Sequence, residues 1–223
     1  MRAIAVSVAL VLVAVASLDA QRRHPISGRL LAPVMGVGGA GWLERVERED
    51  EEAPSKALAL LDLKPGMVVA DIGAGSGYYT ARIAKLVGPS GKVFATDIQP
   101  GMIQLLDRRI RQEGLTNVTT ILGGHDDPHL PPNSIDLALM VDVYHELQQP
   151  QFFLQQLKYA LKPNGRLVLL EFRKEDPSIP ILEVHKMSVA EVRAEMEAEG
   201  YEIERVIEGL PWQHLIVIRV KHK

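Results

Sequence analysis

The 223 residues, 47% of them hydrophobic and 24% charged, have the composition of one folded domain with a sizeable core, and they are too few for two comfortable ones. A net charge of −3 and an aromatic content of only 5% argue against a nucleic-acid partner, which would need a basic surface or stacking platforms. The lack of cysteine excludes disulfides, thiolate nucleophiles and zinc–thiolate centres.

Residues 1–20 read differently from the rest. Arg2 supplies a positive start, residues 3–17 are small or apolar without interruption, and Ala20 precedes the polar Gln21-Arg22-Arg23-His24. This is the layout of a secretory signal peptide, with cleavage after Ala16 or Ala20. The run is shorter than the ~20 residues of a usual spanning helix, and an uncleaved anchor is the alternative. The expected location is therefore exported, periplasmic or secreted, or membrane-anchored through this segment.

Residues 21–52 form an N-terminal unit of their own. A Gly/Pro-rich stretch ends in the flexible-looking Met35-Gly36-Val37-Gly38-Gly39-Ala40-Gly41, and residues 42–52 follow as a charged cap helix, its charges expected on a solvated face. The folded domain is expected over 53–223. It opens with a helix over 54–61, stopped by Lys64-Pro65-Gly66. The pattern then alternates strand and helix, as in a parallel sheet with crossover helices. Strands are expected over 67–72, 92–96, 118–122, 135–141 and 166–172, the last after a turn at Leu161-Lys162-Pro163-Asn164-Gly165. Apolar residues at helical spacing (Tyr79, Ile83 and Leu86; Ile103, Leu106 and Ile110; Phe153, Leu157 and Leu161) mark the intervening helices. Ser188-Val189-Ala190-Glu191 is a capping-box start for a last helix. Two closing strands over 201–207 and 213–220 complete a doubly wound, Rossmann-like α/β fold. Its seven-stranded sheet is mostly parallel, with one antiparallel strand near the C-terminus.

The strongest chemical signal sits where the first strand meets its helix, in Asp71-Ile72-Gly73-Ala74-Gly75-Ser76-Gly77. Glycines there let the backbone approach a ligand, and the helix start presents unpaired amides. Dinucleotide sites use G-x-G-x-x-G; here the third glycine comes one residue early. Asp97 closes the second strand, where a carboxylate can accept both hydroxyls of a ribose, with Ile98 against the base. The fourth strand ends in Asp142-Val143-Tyr144-His145-Glu146-Leu147, at the sheet end where ligands of open α/β folds sit. His145 is the candidate general base there, since imidazole exchanges a proton near neutral pH. A structural histidine is the other reading. Tyr144 and Glu171 are further candidates for the chemistry.

The glycine motif, Asp97, the Leu130-Pro131 loop, residues 142–147 and the Leu161-to-Glu171 segment together resemble the class I S-adenosylmethionine-dependent methyltransferases, within them the small-molecule group that includes quinone-biosynthesis methylases. The resemblance covers roughly residues 63–172 and implies S-adenosylmethionine as cofactor. It places Asp71, Gly73, Ala74, Gly75, Ser76, Gly77, Asp97, Ile98 and Asp142 around that cofactor. Counting back from Leu130-Pro131, it puts Asp126, or else Asp127, on the adenine amino group. His125 and His129 beside these aspartates lack the spacing of a metal-binding helix, and no metal is expected.

The implied activity is methyl transfer to a small-molecule or lipid-like acceptor. A protein-modifying methyltransferase and a non-catalytic cofactor-binding protein are the alternatives. Such a donor is already activated, so the protein supplies positioning, water exclusion and a base only if the acceptor must lose a proton. Residues 183–187 are expected either as a lid over the acceptor or as a plain surface loop, and membrane association is expected to run through residues 1–20. An exported enzyme would have to meet a cofactor made in the cytoplasm.

Overall fold

A computed structural model describes residues 22–221 of the chain; the expected signal or anchor segment lies outside the described residues. Among the described residues no helix is long and apolar enough to cross a membrane. The elements are α1 (Arg48–Glu51), α2 (Pro54–Leu60), β1 (Val68–Ile72), α3 (Tyr78–Val87), β2 (Lys92–Asp97), α4 (Pro100–Glu113), β3 (Val118–Leu122), β4 (Ile135–Val141), α5 (Pro150–Ala160), β5 (Leu161–Arg173), β6 (Lys186–Met187), α6 (Val189–Ala198), β7 (Tyr201–Ile207) and β8 (Gln213–Val220).

The sheet runs β3-β2-β1-β4-β5-β8-β7, and β8 alone is antiparallel to its neighbours. This is the expected doubly wound α/β sheet of seven strands, with the two-residue β6 added beside β5. Strand residues alternate between two cores. Ala70, Ile72, Met140, Leu167 and Leu169 face α5 and α6, whereas Val69, Leu137, Leu139, Val168 and Leu170 face α2 and α3. Burial on both faces is why these strands read as continuous apolar runs. The chain winds outward from β1 to β3 and then returns to β4, so the crevice at the carboxyl ends of β1 and β4 is the topological switch point.

Several local signals act as expected. Ser188 and Glu191 form a reciprocal capping box at the start of α6, and Gly114 ends α4 in the left-handed conformation. Two expectations are corrected. Residues 161–165 are not a turn before the strand but a bulge within β5. Pairing jumps from Ile135 opposite Leu161 to Leu137 opposite Arg166, and a Cβ at Gly165 would stand 2.6 Å from the Ile135 carbonyl oxygen. The charged stretch 42–52 is not one solvated helix. A 3₁₀ helix over Val37–Glu44 is followed by the single turn α1, and Arg48 and Glu52 are buried against each other at 2.6 Å. Burial of that ion pair turns the stretch inward, with Arg48 lying over the Tyr78 ring at 4.4 Å.

Candidate active site

A cavity of about 490 Å³ occupies the switch point. Its floor is built from strand ends: Ile72 and Gly73 after β1, Asp97 and Ile98 after β2, Val141, Asp142 and Val143 after β4, and Phe172 on β5. Its roof is the N-terminal segment, through Pro33, Val34, Met35, Trp42, Leu43 and Arg48.

The glycine loop is shaped for close approach. Gly73 and Gly75 have φ of 68° and 54°, and a Cβ on either would collide, with Val143 at 2.5 Å and with Leu43 at 2.8 Å. The Gly75 N–H donates to Asp97 Oδ2 at 3.0 Å, and the Gln99 N–H donates to Asp97 Oδ1 at 2.9 Å. Each carboxylate oxygen therefore keeps a free lone pair toward the cavity, which two adjacent hydroxyls of a ribose would fit. Burial pushes the Asp97 carboxyl above the usual aspartate range, although the backbone N–H groups of Gln99, Gly75 and Ile98 pull the other way.

The other expected cofactor residues are placed less directly. Asp71 lies buried beneath the loop, accepts the Thr80 hydroxyl and does not line the cavity. Burial raises its carboxyl to about 6. Ala74, Ser76 and Gly77 shape the loop without lining the cavity, and Ser76 donates to Glu44 in the N-terminal roof. From the loop after β3, Gly123, Gly124, His125 and Pro128 reach the cavity, while the exposed Asp126 does not. Asp142 lines it at φ 54°, rare for a residue with a side chain. Its Oδ2 accepts from Gln213 at 2.8 Å, and its Oδ1 is buried with no partner among the described residues. Burial drives this carboxyl well above the usual range, with Glu52 and Glu171 adding to the effect. Asp97, Asp142 and Glu146 thus face a cavity whose one guanidinium, Arg48, is tied to Glu52. That excess of acid suits the sulfonium and ammonium charges of S-adenosylmethionine.

The short helical turn after β4, Tyr144–Glu146, points three residues in different directions. The Tyr144 ring packs into the apolar core and lies outside the cavity lining. His145 is buried but reaches the cavity, with Nδ1 at 2.6 Å from Glu171 Oε2 and Nε2 at 3.0 Å from His185 Nδ1. Glu171, fully buried on β5, holds the turn with both oxygens, since Oε1 accepts the Tyr144 N–H at 2.9 Å. Glu171 does not line the cavity and touches it only through His145 and the turn. Glu146 accepts the Met35 N–H at 3.1 Å, and burial raises its carboxyl to about 7. Of residues 183–187, Glu183–His185 form a 3₁₀ turn and Lys186–Met187 pair as β6 with β5. His185 walls the cavity, with Pro180, Ile181 and Leu182 before it. The remaining wall is aromatic, with Trp42 edge-on to Phe172 at 6.5 Å.

Sequence reasoning expected a wall from the Trp42 region, which lines the cavity, but missed Arg48, Glu52 and the roof residues Pro33, Val34 and Met35. The i,i+4 spacing of Arg48 and Glu52 was visible, but nothing local distinguished a buried pair from a surface one.

A family model described as a methyltransferase domain matches residues 63–216. The ubiquinone/menaquinone biosynthesis C-methyltransferase UbiE of Burkholderia cenocepacia is 30% identical over 117 residues, covering 52% of this chain and 48% of that protein. The protein of the same name from a Shewanella species is 28% identical over 145 residues, covering 62% and 58%. The match thus spans about half the length of these curated relatives. Among solved structures, a SAM-dependent methyltransferase from Aquifex aeolicus superposes with a TM-score of 0.79 at 29% identity, covering 84% of this chain and all of that one. The mitomycin 7-O-methyltransferase MmcR, at 20% identity and a TM-score of 0.61 over 70% of this chain and 54% of that one, shares the fold.

Proposed function

The chain belongs to the class I S-adenosylmethionine-dependent methyltransferase family, and from that premise we propose that it methylates a small, largely apolar acceptor whose reacting group must lose a proton. The observation that carries this reading is the cavity itself. One end offers the Gly73–Gly75 backbone and the Asp97 carboxylate, and the other offers an apolar wall beside the His145–Glu171 pair.

When bound, the cofactor supplies an electrophilic methyl group on a positively charged sulfur. Asp97 would anchor the ribose, Ile98 would line the adenine's side of the site, and the acids around the glycine loop and Asp142 would offset the positive charge. Trp42, Phe172, Ile181 and Leu182 hold the acceptor and exclude water, which strengthens every polar contact inside. Glu171 favours the tautomer of His145 with its proton on Nδ1, and the Nε2 lone pair, 3.0 Å from His185 Nδ1, takes the acceptor's acidic hydrogen when the acceptor displaces that contact. Positioning of this kind is worth ~7 kcal/mol or more when the reacting atoms are held in line. The UbiE relatives support a carbon acceptor on an electron-rich ring, of the kind ionisation of a neighbouring hydroxyl would activate. Export or anchoring through residues 1–20 stands beside this reading, and the mature N-terminus of the fractionated protein tests it.

The test of function is a transfer assay on quinols, phenols, amines and carboxylic acids. His145→Ala should lower turnover on the best acceptor by roughly 10²–10⁴-fold while cofactor affinity stays nearly unchanged. A variant that keeps full turnover would remove His145 from the mechanism.

A further inference from the structure

His145, Glu146 and His185 bring one ring nitrogen from each imidazole and one carboxylate oxygen within 4.8 Å of one another. Two segments supply them, the turn after β4 and the turn before β6, forty residues apart in the chain. His145 Nε2 stands 3.0 Å from His185 Nδ1. Two imidazole nitrogens on one ion at ~2.0–2.1 Å are about 2.9 Å apart at a right angle and about 3.4 Å apart at the tetrahedral angle. The pair is already at chelating separation, and the flexible Glu146 side chain has only to swing inward to complete the set.

Two further features belong to such a site. Glu171, buried behind His145, accepts from Nδ1 at 2.6 Å, the outer carboxylate that fixes a ligand imidazole's tautomer and orientation. Glu146 is half-buried, and among the described residues no lysine or arginine pairs with it. All three ligand residues line the cavity, so the remaining coordination positions open toward the acceptor.

We propose that His145, His185 and Glu146 hold a divalent transition-metal cation of the zinc class, with open positions for an acceptor oxygen. Two imidazoles and one carboxylate suit zinc, cobalt or iron(II) better than magnesium or calcium, which take oxygen ligands. This rests on the reading of the cavity as the acceptor site and deepens it. The acceptor's O–H bond breaks, its proton passes to water, and the oxygen lone pair binds the cation, with no change of oxidation state. His145 is then a ligand, and the cation takes over the ionisation that the metal-free imidazole would perform. No spacing along the chain marks this site, because its ligands meet only through the pairing of β6 with β5.

The test adds cobalt(II) to the chelator-treated full chain and follows visible absorption and calorimetry. One cation per chain should bind with micromolar or tighter affinity. His185→Ala and Glu146→Gln should each weaken it at least tenfold, Glu171→Gln should weaken it roughly 10- to 100-fold, and His129→Ala should leave it unchanged. No cobalt band, or a band of equal strength in His185→Ala and Glu146→Gln, would overturn the cation site. S-adenosylmethionine is titrated into the same samples. Cofactor binding without cobalt binding overturns only the cation, whereas cobalt binding without cofactor binding upholds the cation and overturns the functional reading.

Discussion

Asp97→Asn tests the contact proposed to anchor the cofactor ribose. Both carboxylate oxygens already accept a backbone N–H, Gly75 on Oδ2 and Gln99 on Oδ1. An asparagine has one oxygen, so its amide group must face one of those two donors, and the ribose loses a charged acceptor. Hydrogen bonds to charged groups contribute about 1.5–3 kcal/mol, which translates to a cofactor dissociation constant weaker by roughly 10- to 150-fold. The protein's own stability should change less. The unpaired backbone donor costs about 1–3 kcal/mol, but removing a buried charge whose burial already raises its pKa offsets part of that. Calorimetry with S-adenosylmethionine and with its demethylated product separates causes, because both share the ribose. Equal loss for the two ligands supports the ribose contact. Loss confined to the sulfonium form would point to charge instead, and unchanged affinity for both would reduce Asp97 to an organiser of the glycine loop.

Two further outcomes follow from buried charges away from the reacting centre. Asp71 has its folded-state pKa raised to about 6, so between the ordinary aspartate value and 6 the folded protein binds more protons than the unfolded chain. Asp71's own contribution should therefore fall by about 2–3 kcal/mol as pH rises from 4 to 6, with Asp97, Asp142 and Glu146 adding declines of the same sign. Urea denaturation of Asp71→Asn should give a shallower decline than the wild type over pH 4–6, and an unchanged decline would assign it to the other carboxyls. Arg29 is buried, pairs with Glu195 of α6 at 2.8 Å and donates to the His145 carbonyl at 3.0 Å. Arg29→Met should destabilise by about 3–5 kcal/mol, because it removes the charged partner of a buried carboxylate and leaves it only Ser27 and His24. Adding Glu195→Leu should recover much of that loss in thermal melts, and a double variant no better than the single one would refute the explanation.

The sheet, the glycine loop and Asp97 were legible in the chain because each is a local pattern. Apolar runs of strand length, helical spacing at Tyr79 and Ile83, and an acid closing the second strand each lie within a few residues of the structure they specify. Such patterns also carry the order of the switch point, since alternating strands and helices allow few windings. What the sequence left open depends on which distant segments meet. Residues 33–35 joined the expected Trp42 region in the cavity roof, and Arg48 and Glu52 went inside, because the sheet end offered apolar surface and Tyr78 to cover. A charge run carries no mark of that. Asp126 and Tyr144 stand in the expected loops, yet backbone direction turns one to solvent and the other into the core. His145, Glu146, Glu171 and His185 converge only when β4, β5 and β6 lie side by side. Sequence encodes what neighbours along the chain can do, and the pairing of strands decides which side chains share a cavity.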